Sequence, residues 1–311
     1  MELKRHNKKG VIFTTLVVVI ISLFLLSSLL YSNIKDRKAI RNRVETLNSF
    51  IFSLQKDISR QLYISSYRAL VAIESHITAN GIFIQDSENL IKEALLNGTI
   101  NSTSIGLMEG YKLKDWESRI TELGDKTNIQ INYSLLQVET SQEDPWNVDV
   151  KITINISLKD KNNLAEWHNT MEIKTKIEIK DFEDPLYLLN TNGLLAKKII
   201  KTPYATFVQG ADVTNLSLHL NNTYYKASSS APSFLDRLEG KTSPNPNGIE
   251  SLVNLNELQL QGIPTQDKSV IDYIYFSSSN PSSYLIQNMP SWFKIDEAHL
   301  DFYQVRDLKL S

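Results

Sequence analysis

Between Gly10 and Gly81 the chain contains neither glycine nor proline. The stretch opens with an apolar run, Val11–Tyr31, that carries no charge: VIFTTLVVVIISLFLLSSLLY. About 20 apolar residues at ~1.5 Å rise each cross a hydrocarbon layer of ~30 Å. Thr14, Thr15, Ser22, Ser27 and Ser28 fit such a span, because a helical hydroxyl bonds back to its own backbone. The competing reading is a cleaved secretory signal, with an apolar core of about 7–15 residues and a small-x-small site. This run is longer, and Leu29-Leu30-Tyr31 supplies no good site. The stretch therefore predicts one long helix, a membrane span over 11–31 continued as a stalk over 32–80.

A short basic leader, 1–10, precedes the span and carries Lys4, Arg5, Lys8 and Lys9. It ends Lys9-Gly10-Val11-Ile12, directly against the apolar run. This resembles the class III signal of archaeal type IV pilins and pilin-like surface proteins. The resemblance implies a prepilin peptidase cut between Gly10 and Val11. Many bacterial pilins carry Glu at the fifth position after the cut, and here that position is Thr15. The archaeal version, looser at that position, fits better. A plain signal anchor with an accidental Lys-Lys-Gly is the alternative.

Charge alone does not orient the span. Lys and Arg favour the cytoplasmic flank, yet Lys35, Arg37, Lys38, Arg41 and Arg43 follow the run as densely as the leader precedes it. A short leader before a large following domain favours a cytoplasmic N-terminus and an extracytoplasmic bulk. Asn-x-Ser/Thr sequons at Asn97, Asn101, Asn132, Asn155, Asn215 and Asn221 agree, since they are glycosylated only on the outer face.

Of 311 residues, the first 43 carry a net charge of +7 and the remainder −9. A basic membrane-proximal end with an acidic distal part argues against a nucleic-acid binder. It matches contact with lipid headgroups. Cysteine is absent, which removes disulfides and thiolate metal sites.

Beyond the span, Ile40, Val44, Leu47, Ile51, Leu54 and Ile58 recur at spacings of four and three. That heptad seam is a candidate surface for helix association with copies of this chain or with other pilin-like subunits. From about Tyr67 to Ile77, packing on the chain's own domain is expected instead. Asn80-Gly81 is the expected stop. Short helices follow over 81–127, at Ser87–Leu96 and Lys114–Leu123.

At Asn128 the period changes. Ile129, Ile131, Tyr133 and Leu135 are apolar at odd positions. Val148, Val150, Ile152, Ile154, Ile156 and Leu158 are apolar at even ones, and Met171, Ile173, Ile177 and Ile179 at odd ones again. Period two predicts half-buried strands, here an antiparallel meander with loops at Glu139–Trp146 and Lys159–His168. The upper stalk helix is the expected cover for its apolar face. Asn215–Asn221 alternates too and is expected as a strand with Leu216, Leu218 and Leu220 inward. That gives a β-rich domain over 128–226, with Asn132, Asn155, Asn215 and Asn221 on wet faces. An α+β extension over 227–311 follows, with a helix at Ser233–Glu239, a proline-rich turn at Thr242–Gly248, and strands at Val270–Phe276 and Leu300–Val305.

Chemistry is sparse. His6, His76, His168, His219 and His299 show no paired spacing, and no nucleophile elbow, phosphate loop or dinucleotide fingerprint occurs. His219 is expected on an exposed strand face. The acidic pairs at Glu143-Asp144, Asp181 with Glu183-Asp184, and Asp296-Glu297 lack the spacing of a calcium loop and read as solvated turns. No catalytic, cofactor or metal residue is expected. The chain reads as an α+β protein: one long N-terminal transmembrane-plus-stalk helix packed on a mainly antiparallel sheet. The expected role is that of a non-enzymatic, single-pass surface protein, either a pilin-like or adhesion-type subunit or a tethered binding or sensor domain.

Overall fold

A computed structural model describes the backbone of residues 8–310 and the side chains of residues 12–310. The leader's Met1–Asn7 lie outside the described residues, as do the side chains of Lys8–Val11 around the expected cut. The architecture is α+β, and the first helix, α1, runs unbroken from Lys8 to Asn80 over 73 residues. Hydroxyls within it bond back one turn, as Ser22 does to the Val18 carbonyl at 2.8 Å and Thr46 to that of Asn42 at 2.8 Å. It stops where expected: Gly81 takes a φ of 65°, and its N–H caps the Ile77 carbonyl at 2.9 Å.

The chain divides into two compact units. The first holds residues 1–56, 120–133 and 156–169, and the second holds 57–119, 134–155 and 170–311. In the first unit, every described side chain from Ile12 to Asn42 is exposed, and full burial along α1 begins at Leu47, Ile51 and Leu54. Ile120, Ile129, Ile131, Ile156 and Leu158 are buried in the same unit.

In the second unit, α1 buries Ile58, Leu62, Ala69, Leu70, Ile73 and Ile77 at helical spacing. Helix α2 (Ser87–Asn97) follows; it buries Leu90, Ile91, Ala94 and Leu95 and ends at left-handed Gly98. Next come a two-residue hairpin, β1 (Thr99–Ile100) with β2 (Thr103–Ser104), and helix α3 (Leu113–Lys126). The residues of α3 divide between the units at Arg119 and Ile120. Gln61 and Ser65 of α1 both donate to the Tyr111 carbonyl, and Arg119 donates to Gln61 Oε1 at 2.7 Å. Trp116, fully buried, donates its indole N–H to Asp57 at 2.9 Å.

Strands β3 (Ile129–Asp144), β4 (Asn147–Asp160) and β5 (Glu166–Glu178) form one sheet in that order. The period-two reading holds best in β4, where Val148, Val150, Ile152, Ile154, Ile156 and Leu158 are all buried. The expected loop Glu139–Trp146 is mostly strand, and only Pro145 and Trp146 turn the chain, which makes β3 and β4 an antiparallel hairpin. In β3 the buried side switches from odd residues, at Ile129 and Ile131, to even ones, at Val138 and Thr140. Such a switch needs one extra residue, the effect of a bulge.

Beyond β5 the second unit is built from short pieces. Helix α4 (Pro185–Asn190) is capped by Asp184, whose side chain accepts the Leu186 N–H. Asn215–Asn221 is not a strand: helix α5 (Thr214–Asn221) occupies it, burying Leu216 and Leu220 and leaving Leu218 exposed. Residues 216 and 220 are one turn apart on a helix, so the same apolar spacing served both periods. Strand β6 (Lys226–Ala227) pairs with β7 (Ile249–Glu250). Helix α6 (Phe234–Leu238) starts in a full capping box between Ser233 and Asp236. It packs on α2 and α4. Helix α7 (Leu255–Leu260) is capped by Asn254.

Val270–Phe276 is likewise not a strand. Its centre is the buried helical turn α8 (Asp272–Tyr275), whose Asp272 carboxylate is committed to partners inside the unit. The last hairpin, β8 (Ser283–Leu285) with β9 (Lys294–Asp296), precedes the expected strand at Leu300–Val305, which is a run of turns instead.

Candidate functional site

Two features of the chain carry chemistry: the apolar run with its cationic flank in the first unit, and a buried ionic core in the second. In the first, the residues from Ile12 to Ile34 present Val, Ile, Leu and Phe all round the helix, none of them buried. Among the described residues α1 is the one helix long and apolar enough to cross a membrane. Lys35, Arg37, Lys38 and Arg41 follow at once and are exposed. Arg43 differs. It ion-pairs with Asp160 at the end of β4 and donates to the carbonyls of Thr127 at 3.2 Å and Asn128 at 3.0 Å. Burial raises the Asp160 carboxyl, but the bond from Arg43 and the N–H groups of Leu164 and Asn162 outweigh it and hold the group below the usual range.

The ionic core is assembled from residues far apart in the sequence. Arg237 of α6 is fully buried between two carboxylates, 2.5 Å from Asp184 Oδ2 and 3.0 Å from Asp272 Oδ2. Its other amino group donates to the Ile249 carbonyl. Asp184 also accepts the Tyr225 hydroxyl at 2.8 Å, and Asp272 accepts both the hydroxyl of Ser251 at 2.7 Å and its N–H at 3.0 Å. Burial opposes the Arg237 charge, but Asp184 and Asp272 overcome it and raise the pKa further. Burial pushes the Asp184 carboxyl up against the pull of Arg237.

A second buried cation lies in the same unit. His299 Nδ1 is 2.7 Å from Asp296, and Nε2 is 3.0 Å from the Tyr273 hydroxyl and 3.5 Å from Glu250. Burial would lower its pKa, yet Asp296 and Glu250 prevail and push it up to about 10, so the ring is an imidazolium at neutral pH. His219 shows the opposite. The sequence placed it on an exposed face, but it is fully buried against Phe207, Tyr224 and Tyr303, and burial with Lys226 nearby lowers it to about 3. A helix in place of the expected strand turned it inward.

Neither ionic group lines a described cleft. A concavity of about 430 Å³ in the second unit is lined by Glu74, Ser75, Thr78, Ala79, Asp181, Glu183 and Lys198. Burial raises Glu74 there, while its carboxylate accepts the Glu183 N–H. Another, of about 340 Å³, is lined by Tyr63, Ile64, Tyr67, Arg68, Val71 and Leu107. Among the described residues no three His, Asp or Glu side chains are grouped to hold a metal ion. The acidic pairs have cations instead: Glu143 with Lys174, Asp144 with Lys176, Asp184 with Arg237, Asp296 with His299 and Glu297 with Arg306.

The residues singled out from sequence fall as follows. Gly10 and Val11 lie in the helical backbone of α1. Of the seam, Ile40 and Val44 are exposed, whereas Leu47, Ile51, Leu54 and Ile58 are covered by the chain itself. Asn97, Asn101, Asn132, Asn155 and Asn221 are exposed. Asn215 is half-buried, and its amide donates to the Thr206 carbonyl at 2.9 Å. Sequence reasoning missed Arg237, Asp272 and Glu250, and it met His299 only as an unpaired histidine. Arg237, Asp272 and Glu250 have no local mark, since their partners come from distant segments, whereas Asp296 lies only three residues before His299. No protein-family description, curated protein or solved structure matches the chain.

Proposed function

We propose that this chain is a single-pass membrane-anchored surface protein whose N-terminus is cytoplasmic and whose folded units are extracytoplasmic. The observation that carries this is the apolar run of α1. It is wholly exposed from Ile12 to Ile34, and it passes without a helix break into cations and then into residues buried by the chain itself. Water would penalise the 16 large hydrophobic side chains exposed between Ile12 and Ile34 by tens of kcal/mol, while lipid would not. The role is structural, that of a pilin-like or adhesion-type subunit, and no catalytic step is assigned to it. Because Leu47 to Ile58 are already covered, helix association with a copy or a related subunit falls to the apolar run together with Ile40 and Val44. A tethered binding domain is the second reading, favoured by the apolar groove around Tyr63, Tyr67 and Leu107.

Alkaline extraction of membranes tests the anchor: the full chain stays in the pellet if α1 spans the bilayer, and its release ends the proposal. Protease added to intact cells tests orientation, with digestion of the folded units expected and full protection overturning it. Cysteine crosslinking at Ile40 and Val44 separates the two roles. A ladder of crosslinked copies supports a subunit, and monomers alone support the tethered binder.

A further inference from the structure

We propose that Arg37, Lys38 and Arg41 form a phosphate-binding face on α1 that selects anionic lipid headgroups in the leaflet where the apolar run ends. The inference rests on the anchor reading above and adds the partner chemistry. On a helix turning ~100° per residue, these three cations fall within an arc of about 100°, and Lys35 widens it to about 160°. They line one open concavity of about 490 Å³ with Asn42 and Glu45. Among the described residues Arg37 and Lys38 have no acidic partner, and Arg41 reaches only Glu45, through Nε at 3.0 Å. Both terminal amino groups of the Arg41 guanidinium therefore remain for a phosphate, the geometry that guanidinium groups match best.

Depth agrees with chemistry. Lys35 to Arg41 spans about 9 Å along the axis. The headgroup layer on each side of a bilayer is about 5–8 Å thick. With Ile34 at the edge of the apolar core, Arg37 and Lys38 thus fall inside that layer, and Arg41, about 10 Å beyond Ile34, lies just outside it and reaches back with its long side chain. Arg43 marks the boundary, because its charge is turned inward to Asp160 and the carbonyls of Thr127 and Asn128. Four of the five flanking cations face lipid and the fifth serves the fold.

The test uses the full chain reconstituted in nanodiscs of phosphatidylcholine mixed with phosphatidylglycerol, reading the lipids that stay bound by mass spectrometry. Phosphatidylglycerol is expected to be enriched over the bulk mixture by about fivefold or more, from roughly 1 kcal/mol per surface cation. The enrichment falls as salt rises. R37Q/K38Q/R41Q abolishes it, whereas R37K/R41K, which keeps the charge, retains most of it. These side chains are exposed, so unchanged circular dichroism accompanies the loss. An equal lipid ratio around wild type and the triple variant overturns the proposal. Alkaline extraction of the same membranes separates the failures: a retained chain without enrichment sinks the lipid face alone, and a released chain sinks the anchor and the face with it.

Discussion

Arg43 and Asp160 are 117 positions apart in sequence and form an ion pair, with the aspartate almost wholly buried and the arginine about one-quarter exposed. The pair joins α1, just past the apolar run, to the turn that leaves β4. Asp160 also accepts the N–H of Asn162 at 2.9 Å, so one carboxylate organises both helix and turn.

Replacing Arg43 with Met leaves that carboxylate without its cation and frees the Thr127 and Asn128 carbonyls. A loss of about 2 kcal/mol is expected, less than a fully buried pair because Arg43 is partly wet. Thermal unfolding in detergent checks it. Faster hydrogen exchange at Asn162 should accompany the loss, and unchanged exchange there would contradict the link.

Arg237→Met strands Asp184 and Asp272 in the second unit, at a cost of about 3–5 kcal/mol. Arg237→Lys should recover only part of this, since one ammonium cannot reach both carboxylates and the Ile249 carbonyl in the same geometry. Denaturant midpoints of the three proteins rank the effects. Equal midpoints for the wild type and the Lys variant would refute the fork.

His299 makes the second unit's stability depend on alkaline pH. Its folded pKa, about 10, lies above the ordinary value of 6.5. The stabilisation is therefore complete below 6.5 and is lost as pH rises towards 10. Within that window each pH unit should cost up to about 1.4 kcal/mol. His299→Gln should lower stability at neutral pH and flatten the slope. NMR of the ring should show His299 charged at pH 8 and His219 neutral at pH 5; the reverse would be inconsistent with their surroundings.

Gly248 has no room for a side chain, because a Cβ would overlap the carbonyls of Ala231 and Ser228. Gly248→Ala should cost about 3 kcal/mol or prevent folding of the second unit. Gly262→Ala, with open space but a φ of 71°, should cost about 1–2 kcal/mol. Paired unfolding curves check the ranking.

If the pilin-like signal operates, the mature chain begins at Val11, and Gly10→Val retains the first ten residues. Intact mass spectrometry of the membrane-bound protein reads both. Mature wild-type protein that still starts at Met1 removes the processing proposal and leaves the anchor standing.

Residue order by itself determined the long helix, its stop at Gly81, the apolar run, and the strands β3 to β5, because each rests on a period written in consecutive residues. It was ambiguous over Asn215–Asn221, where Leu216 and Leu220 satisfy a strand and a helical turn alike, and over Val270–Phe276, where apolar density hid the buried Asp272. Only the tertiary structure decided that Leu47 to Ile58 face the chain itself, that Arg43 turns inward while Arg37, Lys38 and Arg41 stay in solvent, and that Arg237 and His299 sit among carboxylates. Those outcomes depend on which distant segments meet. A buried charge is stable only beside its counter-charge; Asp296 stands three residues from His299, but Arg43 and Arg237 meet their carboxylates, and His299 meets Glu250, only across distant segments.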